Sequence, residues 1–275
     1  MTEKATPDGH RKLQALRQYL NKLDGLLVAY SGGVDSTFLA VVAHQELGDR
    51  MLAVTATSEA YPTWERDEAT DFARQFKLRH KLVHTSELDI PEFKNNPPDR
   101  CYYCKQGLFE NMLGIARQEK ISYVADGTTA DDLDDHRPGR RAAKELHILS
   151  PLLENDLTKD EIRALSKDMQ LPTWDKPAFA CLASRFPYGE AITAEKVNQI
   201  EQAENILRGM GFRQYRVRHH GHIARIEVPP EDISRLAGDR RRQILQGFKE
   251  LGFQYITLDL QGYRTGAMNE TLDTD

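Results

Sequence analysis

Cysteine is scarce in this chain. Three thiols stand in 275 residues, an odd number that leaves no complete set of pairs. A disulfide scaffold is excluded on that count, and a reducing compartment disfavours structural bridges in any case. The thiols are therefore read as ligands, nucleophiles or packing. A basic excess is also missing. Thirty-seven Lys and Arg face forty-two Asp and Glu, for a net charge of −5. No global positive field invites nucleic acid, although a local basic face is still allowed. No uncharged apolar run approaches the roughly 20 residues of a membrane helix. The first residues, MTEKATPDGHRK, lack the apolar region of a signal peptide, so the protein is expected in the cytoplasm and off the membrane. Internal repeats and low-complexity tracts are absent too. The length and the 40% hydrophobic content suit one large or two modest globular domains.

The chain is organised around Ala29-Tyr30-Ser31-Gly32-Gly33-Val34-Asp35-Ser36. The run Leu26–Ala29 before it reads as a buried parallel strand, and Phe38–Val42 after it as part of a helix. Two glycines permit positive φ and remove Cβ atoms that would hold a ligand away from the backbone. Free N–H groups at the helix start, with the helix dipole, make an anion site. Ser31 and Ser36 add hydroxyls. Asp35 is a helix cap or a partner for a metal riding on the anion. No Lys follows the glycines, so this is not a Walker A loop.

Further strands are expected at 51–56, 81–84, 123–125 and 147–152, with helices at 10–23, 64–76, 105–117 and 158–169. The last opens on a capping-box pattern at Thr158 and Glu161. Alternating strands and helices imply a doubly wound, mostly parallel sheet. Ser58, at the end of the second strand, and Gly127, in Asp126-Gly127-Thr128-Thr129-Ala130-Asp131-Asp132, then stand where open α/β sheets bind ligands. Asp131 and Asp132 are Mg²⁺ ligands or solvated acids. The loop continues through His136-Arg137-Pro138-Gly139-Arg140. After about residue 190 the pattern becomes α-β-β-α-β, with a hairpin turn over 219–222, a smaller α+β domain. The expected division is 1–185 and 186–275.

Cys101-Tyr102-Tyr103-Cys104 lies at a loop-to-helix junction, where the dipole favours thiolate. Alone, it fits half of a zinc site, a redox pair or packing equally well. Cys181 stands in a proline-bracketed stretch among small and apolar residues and is read as a buried inert thiol, a lone thiol or a third ligand. Ser184-Arg185 follows it, a combination suited to phosphate. In the C-terminal part, Arg216 and Arg218 share a strand face, with Glu227, Glu204 and Arg264 nearby in the pattern. These are surface ion pairs or a phosphate clamp.

Taken in order, SGGVDS, CYYC, DGTTADD, CLASRFPYG, RVRHHGHIARIE and LDLQGYRTGAMN resemble the ATP-dependent sacrificial sulfur transferases (LarE-type), in the N-type ATP pyrophosphatase (PP-loop) superfamily. The resemblance runs from about residue 20 to 272. It implies an adenine nucleotide alpha hydrolase-like sheet with a smaller C-terminal α+β domain. The implied activity is ATP-dependent sulfur transfer to carboxylates of pyridinium-3,5-biscarboxylic acid mononucleotide. The reaction passes through an acyl-adenylate and gives the precursor of a nickel-pincer nucleotide. By resemblance, Ser31, Gly32, Gly33, Asp35 and Ser36 hold pyrophosphate, Gly127 lies on the adenosine side, to which its place at a strand end also assigns Ser58, and Arg185 is near phosphate. Glu204, Arg216, Arg218, Glu227 and Arg264 surround the substrate phosphate or a second metal. ATP and Mg²⁺ are the implied cofactors. One branch of the family spends the sulfur of the cysteine matching Cys181. Another binds a [4Fe-4S] cluster on three cysteines, here Cys101, Cys104 and Cys181, and transfers a cluster-bound sulfide. The three-cysteine count favours the cluster. The partners implied are a small-molecule nucleotide and sulfide or a sulfur-donor protein, and a homo-oligomer is expected. A tRNA thiolase of the same superfamily and a non-catalytic nucleotide sensor are the competing readings. The net charge disfavours the first, and pyrophosphate release separates the second.

Overall fold

The structure, a computed structural model, describes residues 4–133, 138–264, 266–267 and 270. The chain divides into two compact units: residues 1–86 with 101–179, and 87–100 with 180–275.

The first unit runs α1 (Pro7–Asn21), β1 (Leu26–Ala29), α2 (Val34–Leu47), β2 (Met51–Thr57), α3 (Thr63–Gln75) and β3 (His80–His84). The second unit's short α4 (Pro91–Lys94) then intervenes. The first unit resumes with α5 (Arg100–Gln118, its first residue counted with the second unit), β4 (Tyr123–Ala125), α6 (Gly139–Glu145), α7 (Pro151–Glu154) and α8 (Lys159–Asp168). The four strands form one parallel sheet in the order β3-β2-β1-β4.

Successive strand side chains point to opposite faces, and both faces are apolar here. Leu26 and Val28 of β1, with Met51 and Ala53 of β2, enter a cluster that holds Leu16 and Leu20 of α1, Phe38 and Val42 of α2 and Ile162 of α8. Leu27, Leu52 and Val54 enter the other, with Phe109 and Met112 of α5 and Ala143 of α6. Both faces are therefore covered by helices, the doubly wound arrangement expected. Each fully buried side chain of this size contributes about 1.5–3 kcal/mol. Truncating Phe109, fully buried, to Ala is expected to cost about 3–5 kcal/mol. The capping box at α8 is formed as the sequence suggests. Its Glu161 also takes a 3.0 Å bond from the buried Lys12 Nζ, tying α1 to α8.

Three local expectations are corrected. The strand over 147–152 shrinks to one bridge, Ala125 to Leu149, because His147 takes φ +55° and Pro151 starts α7 at a position where its fixed φ favours a helix. Helix α5 begins at Arg100 rather than near Lys105, so Cys101 and Cys104 are its second and fifth residues. The hairpin turn is confined to Gly221 and His222, which leaves His219 and His220 inside a strand. His136 and Arg137 lie outside the described residues.

In the second unit, α9 (Ala194–Gly209) packs Val197, Ile200, Ala203 and Leu207 inward. The strands β5 (Arg216–His220), β6 (Ile223–Glu227) and β7 (Tyr255–Leu258) form a sheet in the order β5-β6-β7, antiparallel and then parallel. Helices α10 (Ile233–Ala237) and α11 (Arg241–Glu250) complete the α+β unit. Residues 87–100 belong here because their backbone is bonded here: Ile192 N donates to Lys94 O at 3.0 Å, and Gly189 N to Asn96 O at 2.9 Å. Asn96, fully buried, donates Nδ2 to Pro187 O at 2.7 Å. The chain thus passes between units three times, where a single passage at 185/186 was expected. No described helix is long and apolar enough to cross a membrane.

Candidate active site

At the carboxyl end of β1 the chain turns through Tyr30–Gly33 into α2. Gly32 has φ +67°, and a Cβ there would lie 2.7 Å from the Cβ of Ala69 on α3. Any other residue at that position is both strained and blocked. Gly33 is the N-cap of α2 and lends no side chain to the helix's first N–H groups. The capping role considered for Asp35 is therefore corrected: its carboxylate sits within the first turn. The hydroxyls of Ser31 and Ser36 stand 3.0 Å apart, and Ser36 Oγ also accepts from Ser31 N at 3.2 Å. Gly33 N is aimed at Ser31 Oγ, 3.5 Å away. Two hydroxyls and an uncapped helix start gather at one turn, an arrangement that suits anionic oxygens.

The neighbouring strand ends supply the walls. Gly127, after β4, lies so close to α2 that a Cβ would stand 3.1 Å from Ser36 N. Asp126 beside it is buried and accepts from Thr128 N, Thr128 Oγ1 and Ser150 Oγ at 3.1, 2.7 and 2.9 Å. Ser58, after β2, offers its carbonyl to Tyr61 N at 3.1 Å, closing the turn that carries Tyr61. Ser31, Gly32, Gly33, Asp35, Ser36, Ser58 and Gly127 thus all come to the carboxyl end of one sheet. Asp131 and Asp132 have structural work: Asp131 accepts from Lys159 N at 2.6 Å, and buried Asp132 from Thr129 N at 3.0 Å and Lys159 Nζ at 2.8 Å.

Two contacts at this loop had no sequence signal. Tyr61 donates its hydroxyl to Ser31 O at 2.6 Å. Burial, then the charge of Glu65, pushes that phenol's pKa up, so it remains a donor at neutral pH. Lys176 Nζ lies 3.1 Å from Gly32 O and 3.1 Å from Glu68, over the ring of Trp64. Both partners come from segments far along the chain, and only the fold brings them to the glycines.

The second unit carries a cluster of guanidiniums and carboxylates. Arg185 is fully buried and forks onto Glu204 at 2.8 and 2.9 Å, while its Nη1 donates to Ala180 O, Cys181 O and Ser184 Oγ. The partners found for Arg185 are thus a carboxylate and the Cys181 loop, which it anchors. Arg218 forks onto Glu227 at 2.9 and 2.7 Å and reaches Ser184 O at 2.8 Å. Arg225 adds a 3.1 Å contact to Glu227, and Arg264 reaches Glu270 at 3.1 Å. Arg216 donates to Tyr215 O at 2.6 Å and lies over Tyr263. Burial, then the nearby charge of Arg185, with Arg218 adding to it, pushes Arg216 down to about 10. An anion placed beside it would reverse that push. Glu204, Arg216, Arg218 and Glu227 share one neighbourhood, as expected; Arg225 is a member that the sequence reading missed.

Cys101 is exposed and Cys104 half-buried, and the two are one turn apart at the start of α5 in the first unit. Cys181 is exposed in the second, just before a short turn over Leu182–Arg185. None is in a disulfide. Among the described residues no group of three His, Cys, Asp or Glu side chains is arranged to hold a metal ion.

Comparison with known proteins bears on this geometry. Residues 10–95 match the NAD synthase family, which covers the glycine loop and the first three strands. Pyridinium-3,5-bisthiocarboxylic acid mononucleotide synthase of Lactiplantibacillus plantarum is 39% identical over 256 residues, 92% of each chain. This chain belongs to that family, the LarE-type ATP-dependent sulfurtransferases of the PP-loop superfamily. An uncharacterized protein of Synechocystis is 45% identical over 95% of this chain and 98% of its own length. A glutamine-hydrolyzing GMP synthase chain of Thermoplasma acidophilum is 29% identical over 197 residues, 66% of this chain and 62% of its own length. LarE-type family membership accounts for the loop, the doubly wound sheet and the smaller mixed sheet together.

Proposed function

We propose that this protein uses ATP to replace carboxylate oxygen by sulfur on pyridinium-3,5-biscarboxylic acid mononucleotide. The observation that carries this reading is the 39% identity over 92% of both chains to the synthase of the bisthiocarboxylic product. A carboxylate oxygen is a poor leaving group. In the proposed sequence it attacks the α-phosphorus of ATP, the α–β phosphoanhydride bond breaks, and pyrophosphate leaves. A sulfur nucleophile then attacks the acyl carbon and AMP departs. Charge builds on the phosphate oxygens during the first step, and donors already oriented toward it lower the barrier. The Ser31 and Ser36 hydroxyls, the N–H groups of Gly32 and Gly33 and the start of α2 fill that role. Asp35 would hold Mg²⁺, which neutralises phosphate charge. Ser58 and Gly127 line the adenosine side. Arg216, Arg218 and Arg264, held among Glu204 and Glu227, would receive the substrate phosphate. Arg185 supports the loop that bears Cys181.

Three cysteine thiolates are a chemically suitable donor set for an iron–sulfur cluster. Cys101, Cys104 and Cys181 would be its ligands, and a cluster with one open iron would supply transferable sulfide. Exposure of Cys101 and Cys181 leaves both thiols accessible for that purpose.

Anaerobic protein incubated with the mononucleotide, ATP, Mg²⁺ and sulfide is expected to yield thiocarboxylate, detected by mass spectrometry, with AMP and pyrophosphate. Repeated turnover with bound iron that disappears in Cys101→Ala supports the cluster. A single turnover on iron-free protein, with Cys181 converted to dehydroalanine, would replace it by the sacrificial route. ATP cleavage without any thiocarboxylate would overturn the sulfur-transfer reading itself.

A further inference from the structure

The two carbonyls at the crest of the glycine loop are each taken by a side chain from elsewhere in the first unit. Ser31 O accepts from Tyr61 Oη at 2.6 Å, and the next carbonyl, Gly32 O, accepts from Lys176 Nζ at 3.1 Å. A peptide group is planar and trans, so its C=O and N–H point in opposite directions. Pulling Ser31 O toward Tyr61 aims Gly32 N–H the other way, and pulling Gly32 O toward Lys176 does the same for Gly33 N–H. The second of these is seen directly, since Gly33 N points at Ser31 Oγ, beside Ser36 Oγ. Consecutive N–H groups turned to one side form an anion-binding concavity. At Gly32, with φ +67° and no Cβ, the backbone has little of its own to resist a flip of either peptide.

We infer that Tyr61 and Lys176 are positioning residues: they clamp successive carbonyls so that the N–H groups of Gly32 and Gly33 converge on the pyrophosphate portion of the nucleotide. Both clamps are themselves held. Tyr61 N is bonded to Ser58 O. Lys176 pairs with Glu68 and lies over Trp64, its side chain only 13% exposed, while its own carbonyl accepts from Arg163 at 2.9 Å. Lys176 also places a positive charge at the loop, which an arriving polyanion would feel.

This inference rests on the reading of the loop as the pyrophosphate cradle, and the test separates the two. Binding of inorganic pyrophosphate with Mg²⁺, and of adenosine, is measured by calorimetry on the whole protein for wild type, Tyr61→Phe, Lys176→Met and Lys176→Arg. Melting temperatures are recorded in parallel. The clamp predicts that Lys176→Met weakens pyrophosphate about tenfold and Tyr61→Phe about threefold or more. Adenosine affinity and melting temperature hold, and Lys176→Arg regains most of the loss because its donor still reaches a carbonyl. If wild type binds pyrophosphate and both Tyr61→Phe and Lys176→Met bind it within threefold of wild type, the clamp is wrong and the cradle stands. Equal losses for pyrophosphate and adenosine also overturn the clamp, since they signal general damage. Wild type that binds no pyrophosphate overturns the cradle itself.

Discussion

The glycine loop of the first unit and the arginine cluster of the second are both proposed to receive anions, and they are built in opposite ways. The loop uses backbone N–H groups, two hydroxyls and a helix start. Its side chains are small, and the bulky partners act on the carbonyl side. The cluster uses guanidiniums, most of which are held in place by carboxylates: Arg185 by Glu204, Arg218 by Glu227, Arg264 by Glu270. Backbone donors need no neutralisation when no ligand is bound. Buried guanidiniums do, because an uncompensated charge in a poorly hydrated site is costly. The carboxylates therefore belong to the second design as much as the arginines. They neutralise the guanidiniums in the folded protein whether or not an anion is present.

That contrast can be broken at four points. The largest effect is expected in the cluster's internal support. Glu204→Gln leaves the fully buried Arg185 without its counter-charge and should cost about 3–5 kcal/mol, read as a lowered denaturant midpoint. Lys should not substitute for Arg185 either, because the fork contacts Glu204 and three loop acceptors at once. Next is the loop. Gly32→Ala forces a Cβ against Ala69 and a non-glycine residue into positive φ. Pyrophosphate release should fall about a hundredfold while the fold survives, as circular dichroism would show. Third, Arg216→Met should raise the KM for the mononucleotide about tenfold and leave the KM for ATP unchanged, since Arg216 belongs to the cluster and not to the loop. The smallest effect concerns pH. Burial lowers the pKa of His80, whose Nε2–H donates to Thr55 Oγ1 at 2.9 Å while Thr55 donates to Tyr30 O. The folded state therefore binds that proton less readily than the unfolded chain, whose value is near 6.5. Its contribution to stability is intact above 6.5 and is lost as pH falls below it. A decline of roughly 1–2 °C in melting temperature between about pH 7 and pH 5.5, reduced in His80→Gln, is expected.

The same contrast explains what could be read from the amino acids. The glycine loop was legible because it is local. Six consecutive residues, running from a strand's end into the first turn of a helix, carry all its donors, and the alternation of Leu26, Leu27 and Val28 between two apolar clusters follows from strand geometry alone. The partners of the loop were not legible. Tyr61 lies 30 residues from Ser31 and Lys176 lies 144 from Gly32, and nothing in their neighbourhoods marks them. The cluster was legible only in part. Arg216 and Arg218 share a face by period-two spacing, but nothing local says that Arg185 would fork onto Glu204. The boundary between the units was hidden for a similar reason. Residues 87–100 join the second unit through backbone bonds to positions 189 and 192, a pairing that leaves no periodicity in the sequence. The fifth strand failed on a proline, whose preference for a helix start outweighed the apolar run around Leu149.

The division of labour between loop and cluster is tested most directly by isotope exchange between labelled pyrophosphate and ATP, measured with and without the mononucleotide. The proposed adenylation of the mononucleotide predicts exchange that appears only when the mononucleotide is present. It also predicts that Gly32→Ala loses the exchange, and that Arg216→Met regains it at higher mononucleotide concentration. Exchange that is equally fast without the mononucleotide, or that persists in Gly32→Ala, would contradict it.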